Sequence, residues 1–286
     1  MKLAELNNLP ADQLKEQLSL CCGCEKWNRL LAQQFPFQSV KQLVAATENI
    51  WYTQCGESEW IEAFSHHPKI GDVKSLNEKF ASIQHLASSE QQAINNAAPE
   101  IIESLVESNN LYETKYGFIF IICATGKSAA EMLRLIVDRM NNTYFEELNI
   151  AMGEQHKITL IRFQKLLDEE FNLAPGHITT HVLDTSVGKP GKDITIRLKT
   201  PYENGWQTIA QGVTNADGRI ADLLAPGRTL LPGNYKMVFN TSQYFISQNI
   251  KGFYPEVEIQ FTVFDSSHYH VPLLINPFGF STYRGS

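Results

Sequence analysis

The chain has 286 residues, 43% of them apolar and 19% charged, enough hydrophobic material for two cores. Its formal net charge of −7 argues against a nucleic-acid backbone or an anionic membrane as partner. No apolar run approaches the roughly 18–20 residues that span a bilayer, and the opening "MKLAELNNLPADQLKEQLSL" carries Glu5 and Asp12 where a secretion signal would be apolar.

Residues 1–167 hold 6 Gly and 4 Pro, whereas the shorter stretch 168–286 holds 11 and 8. The first half therefore reads as helices and the second as strands joined by many turns. Cys21, Cys22, Cys24, Cys55 and Cys123 all lie in the first half, an odd number that reads as reduced thiols in a cytoplasmic protein. Cys21 and Cys24 form a C-x-x-C without the second pair that a zinc site needs. In "EAFSHHPKIGD", His66 and His67 stand before Pro68, which describes a helix end. One activated histidine beside a rigid turn is the economical reading, because neighbouring histidines diverge too far to share a metal. Glu90, in "LASSEQQAI", opens a further predicted helix.

The run "YGFIFIICATGKS" is dense in apolar residues, with a backbone that can offer hydrogen bonds to a flat polar ligand. Its Gly126-Lys127-Ser128 is no phosphate loop, because Ile121 stands where that motif requires glycine. In "SAAEMLRLIVDRMNNTYFEEL", Ser128 and Glu131 have capping-box spacing. Leu133, Ile136, Val137, Met140, Tyr144 and Leu148 follow as an apolar stripe. Arg162 then sits among Ile158, Ile161 and Phe163, unusual company for a solvated arginine, whose plainer role would be a weak surface ion pair.

These stretches resemble 2-oxo-4-hydroxy-4-carboxy-5-ureidoimidazoline (OHCU) decarboxylases over about residues 5–167, through His67-Pro68-x-Ile70-Gly71, Glu90-Gln91 and the Phe-Ile-Ile-Cys-Ala run. The resemblance implies His67 as catalytic acid/base, Glu90 as its partner and Arg162 as the group that fixes the substrate. Pro68, Ala87, Ser88, Ser89, Gln91, Phe120, Ile121, Ile122, Cys123 and Ala124 would line the pocket. Tyr116 and Leu86-Ala87 depart from the usual aromatic and Trp-Ser positions. No cofactor motif is visible, and none is needed where the substrate ring itself takes up charge.

The second half alternates apolar and polar residues in "DITIRL" and "VEIQFTVF", with turn signals at "GKPGKD", "ENGW", "NADGR" and "LPGNY". That pattern predicts a β-sandwich of about seven or eight short strands. In "GHITTHVLDT", Thr179, His181 and Leu183 share a strand face, as do His268 and His270 in "SHYHVPLL". Two imidazoles plus Arg219, after the Asp217-Gly218 turn, suit hydrolysis of a small oxygen-rich ring. On composition alone, a satisfied or exposed histidine is the commoner case by about two to one.

"HVLDTSVGKPG", "NADGRI" and "HYHVPLLINPFGFSTYRGS" resemble the transthyretin-like 5-hydroxyisourate hydrolases, over essentially all of residues 177–286. The resemblance implies His181, Arg219 and His270 as the catalytic set, Tyr283 in the pocket, and Ser286 closing it with a packed C-terminus. Gly191 and Phe280 replace the more usual Ala and Tyr. Thyroid-hormone carriers of the same fold family lack this set, which favours the enzyme. A tetramer through the β domain follows from the same resemblance, with dimer contacts through the α domain a further option.

The expected organisation is an all-α domain at 1–168, a linker at 169–176 and an all-β transthyretin-like sandwich at 177–286. The expected function is two consecutive steps of urate breakdown on the small molecules 5-hydroxyisourate and OHCU, in the cytoplasm. The alternative is a single active hydrolase with the helical half serving binding or assembly.

Overall fold

The computed structural model describes residues 1–67, 98–168, 171, 176–220 and 222–285. It falls into two compact units, Met1–Leu173 and Ala174–Ser286, the first helical and the second built of strands. The predicted linker at 169–176 lies largely outside the described residues.

Among the described residues, the first unit orders its helices as α1 (Leu3–Asn7), α2 (Ala11–Cys21), α3 (Glu25–Ala32), α4 (Val40–Asn49) and α5 (Glu57–Ser65). Then come α6 (Pro99–Tyr116), α7 (Ala129–Arg139) and α8 (Tyr144–Leu166). A short π-helical turn at Ile50–Gln54 separates α4 from α5. Helix α5 stops at Ser65 with His66 as its cap, the end expected from the His-His-Pro sequence. The single stripe predicted from Leu133 to Leu148 divides in two. Ser128 caps α7 with Glu131 as read, but α7 ends at Arg139 and Thr143 opens α8 with its own box to Glu146. Val137 faces solvent, and Met132, Leu135 and Ile136 carry the buried face. The apolar spacing ran on through Met140 and Tyr144, while Asn142-Thr143 supplied the cap that broke it.

Helix α8 organises the unit. It packs against α2 and α5, and 15 of its 23 residues are buried. Seven of those are polar or charged: Glu147, Glu154, Gln155, His156, Lys157, Thr159 and Arg162. Buried polar groups are costly unless hydrogen-bonded, and partners come both from α8 itself and from other segments. Glu147 pairs with Arg139 and accepts from Tyr112 Oη and, at 2.8 Å, from Asn142 Nδ2. Glu154 pairs with Lys157 and accepts from Cys123 N at 2.7 Å. Trp51 Nε1 reaches the Met152 carbonyl at 2.9 Å.

The second unit has ten strands among the described residues, more than the seven or eight read from sequence because three are two-residue pairings. One sheet has the order β5-β4-β6-β7 (Gly205–Val213, Thr195–Tyr202, Gly233–Asn240, Glu256–Val263) and is antiparallel throughout. The other has the order β10-β9-β2-β3 (Gly279–Thr282, Leu273–Asn276, Val182–Asp184, Lys189–Pro190). Ile196, Leu198, Met237, Phe239, Val182 and Leu273 are fully buried between them. At the margin β1 (Ile178–Thr179) pairs in parallel with β8 (Tyr269–His270), matching Thr179 to His270. The alternation read at 179–183 holds, with Thr180 and Val182 buried and His181 half-buried.

Removing one partner of a buried ion pair strands the other charge. Glu147→Ala is therefore expected to lower the unfolding free energy of the helical unit by about 3–5 kcal/mol in denaturant titration. A loss below about 1 kcal/mol, the range of exposed pairs, would show that this cluster does not hold the unit.

Candidate active sites

In the helical unit, His67 follows the end of α5 and is buried. Its Nε2 lies 2.7 Å from Gln155 Oε1, and its Nδ1 faces Arg162 Nη2 at 3.5 Å. Arg162, also buried, directs Nη1 at the Leu20 and Cys21 carbonyls, each at 3.4 Å. Those carbonyls belong to the last turn of α2, where unpaired oxygens and the helix dipole favour a cation. Burial, reinforced by the Arg162 charge, pushes the His67 pKa down to about 3. The ring is thus neutral at physiological pH, a base beside a fixed positive charge. Its setting depends on Gly23: a Cβ there would meet the His66 ring at 2.5 Å.

Phe120, Ile121, Ile122, Cys123 and Ala124 are all buried, in a stretch without regular secondary structure. Part of its backbone is already bound by the protein. Arg139 Nη1 donates to Ile121 O at 2.9 Å, Lys127 Nζ donates to Cys123 O at 3.0 Å, and Cys123 N is held by Glu154. Pro68, Ala87, Ser88, Ser89, Glu90 and Gln91 lie outside the described residues.

In the β unit, His181 and Arg219 face each other across an antiparallel bridge, and His270 forms a second bridge with Gly285. Asn215 Oδ1 accepts from the backbone N–H of Asp217 and of Arg219, each at 3.0 Å, and so shapes the turn that presents the arginine. Gly218 in that turn has φ of +70°, and a Cβ there would sit 2.3 Å from the Val182 carbonyl. Only glycine fits both demands. Thr179 Oγ1 lies 2.9 Å from His270 Nδ1 and 2.8 Å from His268 Nε2, one hydroxyl joining two rings. Burial first, then the Arg219 charge, lowers the pKa of both His181 and His270. His270, Tyr283 and Arg284 line a cavity of about 300 Å³ with Tyr269, Thr282 and Phe264. Arg284 lies over the Tyr269 ring at 4.8 Å, and Ser286 is outside the described residues.

A family model for the OHCU decarboxylases matches residues 7–164, and one for the HIUase/Transthyretin family matches residues 178–285. The uric acid degradation bifunctional protein TTL of Arabidopsis thaliana is 33% identical over 95% of this chain and 98% of its own. The chain belongs to both families, fused. The transthyretin-family half is 41% identical to the 5-hydroxyisourate hydrolases of Salmonella dublin and Mus musculus. Those alignments cover 40% and 38% of this chain, and 85% and 94% of the hydrolases. A solved structure of an OHCU decarboxylase in the presence of (S)-allantoin aligns at 34% identity over 53% of this chain and 96% of its own, with a TM-score of 0.46.

In the decarboxylase half the fold brings together His67 and Arg162, and in the transthyretin-family half His181, Arg219 and His270. From the sequence, Gln155 and Thr159 were not singled out, and Thr179 was placed on the His181 face without a role. The first two were findable: positions 155, 159 and 162 recur at steps of four and three, which puts them on one helix face with Arg162. Thr179 shares the strand face of His181, but its parallel partner His270 is 91 residues away.

Two outcomes follow. A Cβ at Gly285 would lie 2.4 Å from His270 Cδ2, so Gly285→Ala is expected to slow 5-hydroxyisourate loss at least tenfold, on the order of a displaced acid/base group. OHCU turnover, assayed in the same sample, should not change. Second, the unfolded chain protonates His67 below about pH 6.5, whereas the folded ring resists until about pH 3. Across that window the unfolded state binds more protons, so this group's contribution is present above pH 6.5 and lost as pH falls. Denaturant titrations should show a steeper acid loss in the wild type than in His67→Gln.

Proposed function

We propose that the two halves catalyse consecutive steps of urate degradation. The transthyretin-family half hydrolyses 5-hydroxyisourate, and the decarboxylase half converts the resulting OHCU to (S)-allantoin. The observation that carries the reading is the meeting of His67 and Arg162, 95 residues apart in sequence, as a neutral base against a fixed cation in a buried site.

Hydrolysis of a cyclic amide needs a base for water, support for the oxyanion and an acid for the leaving nitrogen. His181 and His270 both start neutral, so either can take the water proton and return it to nitrogen. Arg219, whose charge adds to burial in keeping both rings neutral, supports the developing oxyanion in this reading. Thr179 holds the His270 ring from its Nδ1 side. Tyr283 and Ser286 complete the pocket in this reading.

Decarboxylation needs the carboxylate turned out of the ring plane and an acceptor for the released electron pair. The pair enters the substrate's own imidazoline C=N system, and a proton from water ultimately takes the place of CO2. Arg162 anchors the carboxylate. His67, with Glu90 as partner, delivers the proton to one face and so selects one enantiomer. In this reading Pro68, the run 87–91 and the run 120–124 contribute to substrate binding. The ring itself is the electron sink, so the reading calls for no cofactor.

The further elements of the proposal are a tetramer through the β unit and a cytoplasmic site of action. No helix among the described residues is long and apolar enough to cross a membrane. Fusion raises the effective concentration of the second site for the product of the first.

The test generates 5-hydroxyisourate in place and follows absorbance and circular dichroism. His181→Ala should slow its loss by about 10²–10⁴-fold while supplied OHCU is still decarboxylated. His67→Ala should leave that loss fast but make allantoin slow to appear and racemic. Fast, single-enantiomer allantoin from His67→Ala would reject the decarboxylase assignment and leave one active hydrolase.

A further inference from the structure

The buried polar face of α8 carries more than Arg162. Gln155 Oε1 meets His67 Nε2 at 2.7 Å, and Gln155 Nε2 meets Thr159 Oγ1 at 3.3 Å. Thr159 Oγ1 in turn donates to the backbone carbonyl of Gln155 at 3.0 Å. A hydroxyl has one proton. With that proton committed to the carbonyl, Thr159 can only accept from the amide, so the amide nitrogen of Gln155 must face Thr159. The amide oxygen then faces His67. An amide oxygen accepts and cannot donate, which requires the ring proton on Nε2. The other nitrogen, Nδ1, meets a guanidinium, which is donor only. Both contacts demand the same tautomer.

We propose that Gln155 and Thr159 act as a tautomer lock on His67, keeping its proton on Nε2 and leaving Nδ1 as the nitrogen that exchanges a proton with substrate. The proposal rests on the decarboxylase reading of this site and deepens it: Gln155 and Thr159 are positioning residues acting through His67.

The lock also orders the events. In the free enzyme Nδ1 faces Arg162 at 3.5 Å, a long contact that is easily given up. A carboxylate is a far better partner for Nη2 than an imidazole is. A substrate carboxylate that draws Nη2 to itself uncovers Nδ1 at the moment the base is needed. The ring enters neutral, takes one proton at Nδ1, returns one there and ends in its starting form. Throughout, Gln155 holds the Nε2 proton and keeps it out of the exchange.

The deciding measurement is long-range ¹H–¹⁵N correlation on the full chain labelled at histidine, with the His67 signals assigned by their loss in His67→Gln. The expected result at neutral pH is a pyrrole-type Nε2 and a pyridine-type Nδ1. A ring protonated on Nδ1 overturns the proposal whatever the activity. Kinetics supply the second arm. Gln155→Leu should lower kcat for OHCU about ten- to a hundredfold, the usual cost of losing a partner that orients a histidine, with KM nearly unchanged. Thr159→Val should act in the same direction and by less. Gln155→Glu keeps an acceptor at Nε2, so it should retain most of kcat and move the acidic limb of the pH–rate profile upward. Equal losses in Gln155→Leu and Gln155→Glu would overturn the lock. 5-Hydroxyisourate hydrolysis by each variant reports that the chain is intact. Should Gln155→Leu fail to fold, the wild-type ring spectrum and Thr159→Val decide. Full decarboxylation by His67→Gln would instead remove the underlying reading while the ring spectrum still reports the tautomer.

Discussion

The helical unit depends on one constraint: α8 is buried on most of its surface yet carries seven polar or charged side chains inward. Each must find a partner, because a stranded buried polar group costs a large fraction of a domain's net stability. Some partners lie within α8 or just before it and others far off in sequence, and meeting that demand builds the site. Glu147 draws in Tyr112, Arg139 and Asn142, Glu154 pins the backbone at Cys123, and Arg162 is held by the last carbonyls of α2. Gln155 receives His67 at the end of α5. The same bonds that make the helix tolerable in the interior hold a histidine and an arginine in fixed apposition.

The β unit reaches a related electrostatic state by other means. Its histidines are only partly buried, and they are set by pairing at the sheet margin rather than by a buried helix. Residues near its start meet residues near its end: Thr179 pairs with His270, and Gly285 bridges to His270. The Gly285 N–H also donates to the His270 carbonyl at 3.0 Å, which ties this stretch to the residue carrying a candidate catalytic ring. In both units burial first, and then the charge of a nearby arginine, favours the neutral imidazole, the form that accepts a proton. That burial is nearly complete around His67 and partial around His181 and His270.

Much of this was legible in the sequence, and the gaps have physical causes. Strand alternation identified Ile194, Ile196 and Leu198 as core, because a period of two reports burial directly. The capping box at Ser128 was read correctly, but the apolar spacing beyond it was followed across a helix break, since periodicity does not see a cap that interrupts it. Arg162 was noticed for its apolar neighbours, whereas Gln155 and Thr159 drew no attention, being ordinary residues for an exposed helix face. Their role exists only because α8 is interior.

By itself, the sequence determined the division into helical and stranded halves, the helix end at His66-His67, the turn that presents Arg219, and the family motifs. All of these depend on neighbours within a few residues, where propensity, capping and turn chemistry act. Tertiary structure alone decided which polar residues are buried and what each one faces. The tautomer-setting contacts of His67, the seat of Arg162 on the α2 carbonyls, and the Thr179 bridge between two histidines join segments 88, 141 and 91 residues apart. Such contacts are selected by the need to satisfy buried groups all at once, a condition that no local pattern encodes.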